Sequence, residues 1–390
     1  MLGRGGMAEA FLASRHDAPE HQLVVKRIRP DYAENESFLR RFFFEAQVAS
    51  RVHHRNLVPF VELGRVGDCH YLAMEPVHGH SLHRLLERAF ERGEPLPHAA
   101  ALHLGLGMLD GLAALHRATD DDGHPRPILH RDITPSNVIV DHEGEAVIID
   151  FGIAKDIDGP SLTLPGQVIG TARYMAPEHR KSEWMDARAD VFSVSVVLFE
   201  LLTGRHPWPP LQGMRELLRT SFDPPEIDDE IRALVEPELL EVVMRGLSCH
   251  AEDRWADAET MRQALGADPN PELGRAAVRD WVEAQKLPTD AKLTRPVVDL
   301  RPPEGEVARV MWSADGSVSD MPSPIPSPDA ILARSSVLVV PPLPPRRERV
   351  DLAHAEAAAL GAPMSRRVQW MLACLIAGLA GAWWLLGSHH

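Results

Sequence analysis

The feature that most constrains this chain is an ordered set of polar residues around one short predicted hairpin. Asp132 and Asn137 stand in the run HRDITPSN, and Asp150 ends the segment VIVDHEGEAVIID (138–150). Within that segment two β-branched runs flank Glu143–Gly144, which predicts two strands joined by a tight turn. Because a hairpin returns the chain to its starting point, we expect Asn137 and Asp150 to share one cleft.

The residue types in this set point to a particular chemistry. Carboxylate and amide oxygens are the ligands that hard divalent cations prefer, so Asn137 and Asp150 are candidate metal ligands. Asp132 is a candidate base or orienting group for a hydroxyl nucleophile. Phosphoryl transfer needs in-line positioning and positive charge around the moving group. The tripeptide DFG (150–152) alone is a weak signal, but the ordered pair of motifs is specific and indicates phosphoryl transfer.

Composition and charge exclude several other classes of protein. The 390 residues carry 41 Lys plus Arg against 56 Asp plus Glu, a formal net charge of −15. Nucleic-acid binding requires a basic face, so no nucleic-acid partner is expected. The three cysteines, Cys69, Cys249 and Cys374, are too far apart to form a disulfide framework or a zinc site. A reducing compartment fits this pattern best.

Hydrophobic periodicity divides the first 268 residues into two halves. Short apolar runs at 23–28 and 70–75 predict strands. The spacing of apolar residues predicts helices over 40–52, over 101–117, where the pattern is amphipathic, and over 190–204, where it is apolar nearly all round. A small strand-rich half therefore precedes a larger helical half.

The motifs occur in an order that resembles the protein kinase family, specifically bacterial eukaryotic-like serine/threonine kinases, over residues 1 to about 268. The opening GRGGMA (3–8) is similar to the glycine-rich loop, although such an opening alone is typical of an ordinary turn. VVK (24–26) is similar to the strand lysine motif, and TARYMAPE (171–178) to the end of the activation segment.

The resemblance implies an α+β fold with two lobes, a small β-rich N-lobe over about residues 1–77 and a larger α-helical C-lobe over about 78–268. It also implies ATP and Mg²⁺ as cofactors, with Mn²⁺ as an alternative ion, and protein substrates phosphorylated on Ser or Thr. The catalytic residues that it implies are Asp132, Lys26, Glu45, Asn137 and Asp150, with metal held by Asn137 and Asp150. The nucleotide contacts that it implies are Gly3, Gly5, Gly6, Val24, Lys26, Met74, Glu75, Val77 and Ile139.

Three further residues have structural roles in the family pattern. Glu178 is expected to form an ion pair with Arg254, and Asp190 matches a buried aspartate of the central helix. The alternatives are a surface charge for Arg254 and an N-cap for Asp190, which could serve in both roles. Glu45, the expected partner of Lys26, could instead be a solvated helix residue.

Another five residues concern either the regulation of the kinase or departures from the kinase family pattern. Arg131 resembles the family arginine that binds a phosphorylated activation-loop residue, so Thr163, and after it Ser161, are predicted autophosphorylation sites. Thr134 replaces a lysine common in Ser/Thr kinases, and Ala8 replaces the third loop glycine. A catalytically weak or inactive pseudokinase scaffold at the membrane is therefore the alternative function. A small-molecule phosphotransferase of the wider kinase-like fold is a second alternative, which TARYMAPE disfavours.

The remainder of the chain is predicted to be a linker and a membrane anchor. Residues 269–367 include PSPIPSP and PPLPPRRER and are expected to form an extended, disordered proline-rich linker, with an SH3-like ligand as the alternative. The predicted membrane helix is 368–387; within it residues 370–387 lack charge, and a helix of these eighteen residues spans about 27 Å, just enough to cross a bilayer core. Arg366 and Arg367 precede this segment, which predicts a single-pass inner-membrane protein with a cytoplasmic kinase domain.

A stripe of small residues suggests how two such anchors could associate. Ala373, Ala377 and Gly381 recur every four residues, a spacing that permits close helix contact. A homodimer through this helix and the N-lobe is therefore a candidate partner arrangement. An ordinary anchor rich in small residues, and a buried core helix, remain as alternatives.

Overall fold

The computed structural model describes residues 2–4, 8–14, 20–32, 35, 38–39, 42–43, 46, 50–66, 69–93, 96–119, 123–150, 172–180, 185–209, 224–266, 270–287 and 309–313. These residues all belong to one structural unit, Met1–Pro341. The second unit, Pro342–His390, lies outside the described residues, and so does the predicted membrane segment.

An antiparallel sheet forms the N-lobe, as the sequence predicts. Its strands are β1 (Gly3–Arg4), β2 (Ala8–Ser14), β3 (Gln22–Ile28), β4 (Phe60–Val66) and β5 (Cys69–Met74), in the order β1-β2-β3-β5-β4. The predicted strands at 23–28 and 70–75 are confirmed as β3 and β5. Alternate residues of β3, including Leu23 and Val25, are fully buried, which is the pattern of a strand with one covered face.

Helices build the C-lobe around a small second sheet. That sheet contains β6 (Gly79–Ser81), β7 (Val138–Asp141) and β8 (Ala146–Ile148). The helices are α1 (Leu82–Arg92), α2 (His98–His116), α3 (Pro177–Arg180), α4 (Ala187–Thr203), α5 (Asp229–Leu234), α6 (Pro237–Gly246), α7 (Ala258–Leu265) and α8 (Pro271–Ala284). The predicted hairpin is confirmed, because β7 and β8 pair on either side of a turn at Glu143–Gly144.

Two of these helices, α2 and α4, form the centre of the C-lobe. The prediction that α2 is amphipathic is wrong, because α4, α7, α8 and β8 surround it and bury most of its residues. Gly105 permits the close approach of α4, since a Cβ at this position would lie 2.7 Å from a methyl carbon of Leu198. Among the described residues, α2 is long and apolar enough to cross a membrane, yet most of it is buried in the fold.

The start of α4 corrects one interpretation of Asp190. The N-cap is Asp186, whose carboxylate accepts a hydrogen bond of 3.0 Å from the N–H of Arg188. Asp190 lies in the first turn of the helix and is fully buried. The alternative role of Asp190 as the N-cap is therefore wrong.

The helix predicted over 40–52 is described in part. Helical backbone is found at Phe42, Phe43, Ala46, Ser50 and Arg51. Phe42 and Ala46 are buried and lie four residues apart, so they share the face that packs on the core. Glu45 lies outside the described residues.

The predicted linker contains two ordered elements, so an extended chain is the wrong description there. Asn270 caps α8 by accepting a hydrogen bond from the N–H of Leu273, and the helix buries Gly274, Val278 and Trp281 with helical spacing. A further strand, β9 (Arg309–Ser313), pairs antiparallel with the outer edge of β4. The sheet order is therefore β1-β2-β3-β5-β4-β9.

Candidate active site

Asp190 fixes the loop that carries Asp132 by accepting hydrogen bonds from its backbone. The N–H groups of His130 and Arg131 donate to the Asp190 carboxylate over 2.8 and 2.7 Å. His116 Nε2 lies 2.9 Å from the same carboxylate. The N–H of Ala258 donates to His116 Nδ1, so Nε2 is the ring nitrogen that faces the Asp190 carboxylate. Sequence reasoning missed His116, which stands in an apolar helix without a motif.

These contacts decide the charge of Asp190. Burial alone would raise the pKa of its carboxyl group, but the bond and charge of His116, the charge of His130 and the N–H of Arg131 outweigh it and lower the pKa. Arg131 has a φ of 65°, a left-handed conformation that a non-glycine residue adopts where its surroundings impose it. The ionised Asp190 therefore holds the backbone on which Asp132 depends.

Asp132 is oriented by Asn137. The amide nitrogen Nδ2 of Asn137 donates to the backbone carbonyl and to Oδ2 of Asp132, both over 2.8 Å. A 3-10 turn, Pro135–Asn137, places the amide there, and the N–H of Asn137 donates to the carbonyl of Thr134. Because both side-chain contacts use Nδ2, the oxygen Oδ1 of Asn137 is left to coordinate a cation.

The hairpin brings Asp150 next to Asn137, as the sequence predicts. The N–H of Ile149 donates to the carbonyl of Asn137 over 3.0 Å, which joins the two ends of the hairpin. Lys26 Nζ, on β3 of the N-lobe, donates to Oδ1 of Asp150 over 2.6 Å. The side chain of Asp150 is 41% exposed, so its carboxylate reaches the open cleft.

These residues fit a divalent cation held partly by a bound nucleotide. Asn137 and Asp150 offer an amide and a carboxylate oxygen, the donors of a hard cation. Clusters of three or more His, Cys, Asp or Glu suited to a metal are absent from the described residues. Phosphate oxygens and water would therefore complete the coordination, which is how proteins usually bind Mg²⁺.

The residues predicted to contact adenine lie around the end of β5. Met74 is buried and pairs with Val24 of β3, which is half-buried. The N–H of Glu75 donates to the carbonyl of Pro59 over 3.0 Å, which fixes the backbone just after β5. Val77 and Ile139 are also half-buried, with Ile139 on β7. Of the predicted loop glycines, Gly3 pairs with Ala10, whereas Gly5 and Gly6 lie outside the described residues.

Arg254 and Glu178 form a buried two-pronged ion pair. Nη1 and Nη2 of Arg254 donate to the two oxygens of Glu178 over 2.7 and 2.9 Å. Arg254 is 2% exposed, so its alternative interpretation as a surface charge is wrong. This ion pair fixes α3, whose first two residues are the last two of TARYMAPE, to the connection between α6 and α7. Thr163 and Ser161 lie outside the described residues.

A second carboxylate, that of the half-buried Glu200, contacts the same segment and was missed by the sequence. Tyr174 donates its hydroxyl to Glu200 over 2.9 Å. Burial raises the pKa of Glu200 to about 7, against smaller opposing effects of Tyr174 and Arg173. The signal that could have found it is that Glu200 is the one acidic residue after Asp190 in the largely apolar run at 190–204.

Comparison with known proteins agrees with this geometry. The protein kinase domain family matches residues 1–265. The tyrosine-protein kinase MasK of Myxococcus xanthus is 33% identical over 75% of this chain and 48% of its own length. PknL of Mycobacterium tuberculosis, named a serine/threonine-protein kinase, is 34% identical over 68% of this chain and 63% of its own length. The crystal structure of the M. tuberculosis PknI kinase domain superposes with a TM-score of 0.50 at 25% identity, covering 69% of this chain and 93% of that one.

This chain belongs to the protein kinase family. Membership implies ATP and a divalent metal as cofactors and proteins as substrates. The chain spans about half the length of the curated relatives that it matches, from 39% to 63% for MasK, PknL and SCO3848.

Proposed function

We propose that this chain is an ATP-dependent serine/threonine protein kinase that transfers the γ-phosphoryl group of ATP to hydroxyls of protein substrates. The observation that carries the proposal is the convergence of Asp132, Asn137, Asp150 and Lys26, with contacts of 2.8 Å between Asn137 and Asp132 and 2.6 Å between Lys26 and Asp150. Each residue type matches a separate requirement of phosphoryl transfer.

In this proposal each side chain has a separate role. Asn137 and Asp150 would hold Mg²⁺, or Mn²⁺ in its place, and the bound ion would neutralise charge on the phosphates. Asn137 also aims the carboxylate of Asp132, which would orient the substrate hydroxyl and accept its proton. Lys26 would hold the nucleotide phosphates, with Asp150 positioning its ammonium group. Positioning and charge stabilisation together are what this reaction needs.

Substitution of Asp132 tests the proposal. Asp132→Asn keeps the shape of the side chain and removes its charge, so we expect phosphate incorporation from labelled ATP into a generic protein substrate to fall at least about a hundredfold. Asp280→Asn is the matched control, since Asp280 is exposed on α8. Equal incorporation by the wild type and Asp132→Asn would contradict the assigned role.

The second candidate is a pseudokinase scaffold, which Thr134 and Ala8 favour. A missing lysine removes one cation from the transferred phosphate, and a missing glycine alters the loop over the nucleotide. This candidate predicts nucleotide binding by the wild type without phosphate transfer. Calorimetric titration with an ATP analogue, beside the transfer assay, separates the two.

The names of the relatives differ in the amino acid whose hydroxyl accepts the phosphate. MasK is called a tyrosine kinase and PknL a serine/threonine kinase. We favour Ser and Thr because Pro135 and Ser136, followed by Gly170–Thr171, match the Ser/Thr pattern. Phosphoamino acid analysis of the labelled product gives the answer. A product with phosphotyrosine alone would contradict this choice.

Proposals about the rest of the chain rest on its sequence. The kinase domain would cover residues 1–268, residues 368–387 would anchor it in the inner membrane, and Thr163 or Ser161 would be autophosphorylated. Homodimerisation through the anchor and the N-lobe would bring two domains together. Membrane fractionation of full-length protein and of a version lacking 368–387 tests the anchor, since only the former should sediment with membranes.

A further inference from the structure

Helix α8 lies outside the part of the chain that matches the kinase family, yet it contacts the hairpin of the active site. The family match ends at residue 265, and α8 begins at Pro271. Gly144, in the hairpin turn, has a φ of 90°, and a Cβ there would lie 2.7 Å from the backbone carbonyl oxygen of Arg275. Such close contact requires glycine at this position.

Glu145, the next residue, is where four elements meet. Arg275 Nε of α8 donates to its carboxylate over 2.8 Å. His103 Nε2 of α2 lies 3.4 Å from the other oxygen, Oε2, whereas Arg55, in the segment before β4, donates to Oε1, the oxygen that Arg275 also binds. Burial opposes ionisation, but the bonds of His103 and Arg275 and the charge of Arg55 hold the pKa of Glu145 at about 2. Glu145 is therefore a charged anchor, 6% exposed, at the tip of the hairpin.

The tip and the metal-binding ends belong to one short unit. The carboxylate of Asp141 accepts the N–H of Glu145 over 2.8 Å, and the N–H of Asp141 donates to the carbonyl of Glu145 over 3.0 Å. Strand β7 has four residues and β8 has three. At about 3.3 Å per residue, little more than 13 Å separates the anchored tip from Asn137 and Asp150. A shift of the tip would therefore move these two residues relative to each other.

We propose that Arg275, acting through Glu145, is a positioning residue for the metal site. Helix α8 holds the hairpin turn, and the turn fixes the separation between Asn137 and Asp150. The proposal rests on the proposed function, in which these two residues hold the metal. It extends the functional unit beyond the family boundary to the end of α8.

The test uses the full chain with Arg275→Ala, Glu145→Gln, the double variant and Asp280→Ala. Asp280 is the control position, since it is exposed on the same helix, whereas Arg279 bonds the carbonyl of Glu143 in the turn and is unsuitable. Two quantities are measured: Mn²⁺ affinity by electron paramagnetic resonance in the presence of a non-hydrolysable ATP analogue, and hydrogen exchange of the Ile149 amide. Neither requires turnover.

We expect Arg275→Ala to weaken Mn²⁺ binding about tenfold, the usual size of an indirect effect on a metal site, and to speed exchange at Ile149. The double variant should be no weaker than Glu145→Gln alone, because Arg275 acts through that carboxylate. Asp280→Ala should match the wild type in both measurements.

Unchanged Mn²⁺ affinity and Ile149 exchange in Arg275→Ala would overturn the proposal, even with a lower melting temperature, because α8 would then only stabilise the fold. Additive losses in the double variant would overturn it too. If Glu145→Gln does not fold, the comparison of Arg275→Ala with Asp280→Ala decides. A wild type that binds Mn²⁺ and nucleotide but transfers no phosphate would contradict the proposed function alone.

Discussion

Helix α4 carries a carboxylate near each of its ends, and the pKa values of these two groups are shifted in opposite directions. Asp190, in the first turn, has a lowered pKa, whereas the pKa of Glu200, near the last turn, is raised to about 7. The N-terminal end of a helix stabilises negative charge and the C-terminal end opposes it. Asp190 also receives two backbone N–H groups and His116, while Tyr174 donates to Glu200.

This difference shows that burial alone does not decide the charge of a carboxylate. The hydrogen-bond donors and the end of the helix at which the carboxylate lies also decide its charge. The resulting charge differs between Asp190 and Glu200 in a way that suits the position of each. A permanent charge at Asp190 holds the catalytic loop, where a change of protonation would release Asp132. At Glu200 the proton lies close to balance near neutral pH, so this end of the helix responds to pH.

The strongest way to break the comparison is to remove Asp190. Asp190→Ala leaves the N–H groups of His130 and Arg131 buried without their acceptor, so we expect the free energy of unfolding to fall by about 3 kcal/mol or more. Chemical denaturation of the variant and of the exposed control Asp280→Ala measures this. A loss as small as that of the control would show that the loop holds itself without Asp190.

The pH dependence at Glu200 sharpens the comparison. Its folded pKa, about 7, lies above its ordinary value of 4.5, so its contribution to stability is complete below pH 4.5 and is lost as pH rises through 7. The free energy of unfolding of the wild type minus that of Glu200→Gln should therefore fall by more than about 1 kcal/mol over this range. Denaturant titrations at several pH values check the sign, and a difference that rises with pH would contradict it.

Tyr174→Phe provides the matched variant for this experiment. The hydroxyl of Tyr174 stabilises the ionised form of Glu200, so its removal should raise the pKa further. The pH-dependent loss of stability should then extend to higher pH than in the wild type.

The smallest effect is expected just beyond the C-terminal end of α4. Arg205 forms ion pairs with Asp228 and Glu230, but all three side chains are about half exposed or more. Exposed pairs contribute little, so Arg205→Ala should lower the free energy of unfolding much less than Asp190→Ala does. A loss comparable to that of Asp190→Ala would mean that the number of ion pairs, and not burial, decides stability in this region.

Local patterns predicted much of the fold and of the site. Strands β3 and β5, the β7–β8 hairpin and helix α4 were predicted because their period or turn residues lie within one short segment. The convergence of Asn137 and Asp150 was predicted for the same reason. His116, Glu145 and Glu200 were missed because their importance comes from residues far away in sequence, such as Asp190, Arg275 and Tyr174.

The same reasoning explains the error over the linker. Proline-rich stretches further along the chain dominated the composition of 269–367 and concealed the helical spacing of Gly274, Val278 and Trp281. Strand β9 forms by pairing with β4, more than two hundred residues earlier in the chain, so its own sequence gave no indication of it.

The docking of α8 on α2 has a practical consequence for recombinant protein. A fragment ending at residue 265, where the family match stops, would lack the helix that covers part of α2. The apolar surface uncovered there would meet water and favour aggregation. A soluble fragment should therefore extend at least to Leu287, the last residue that packs with this helix against the core.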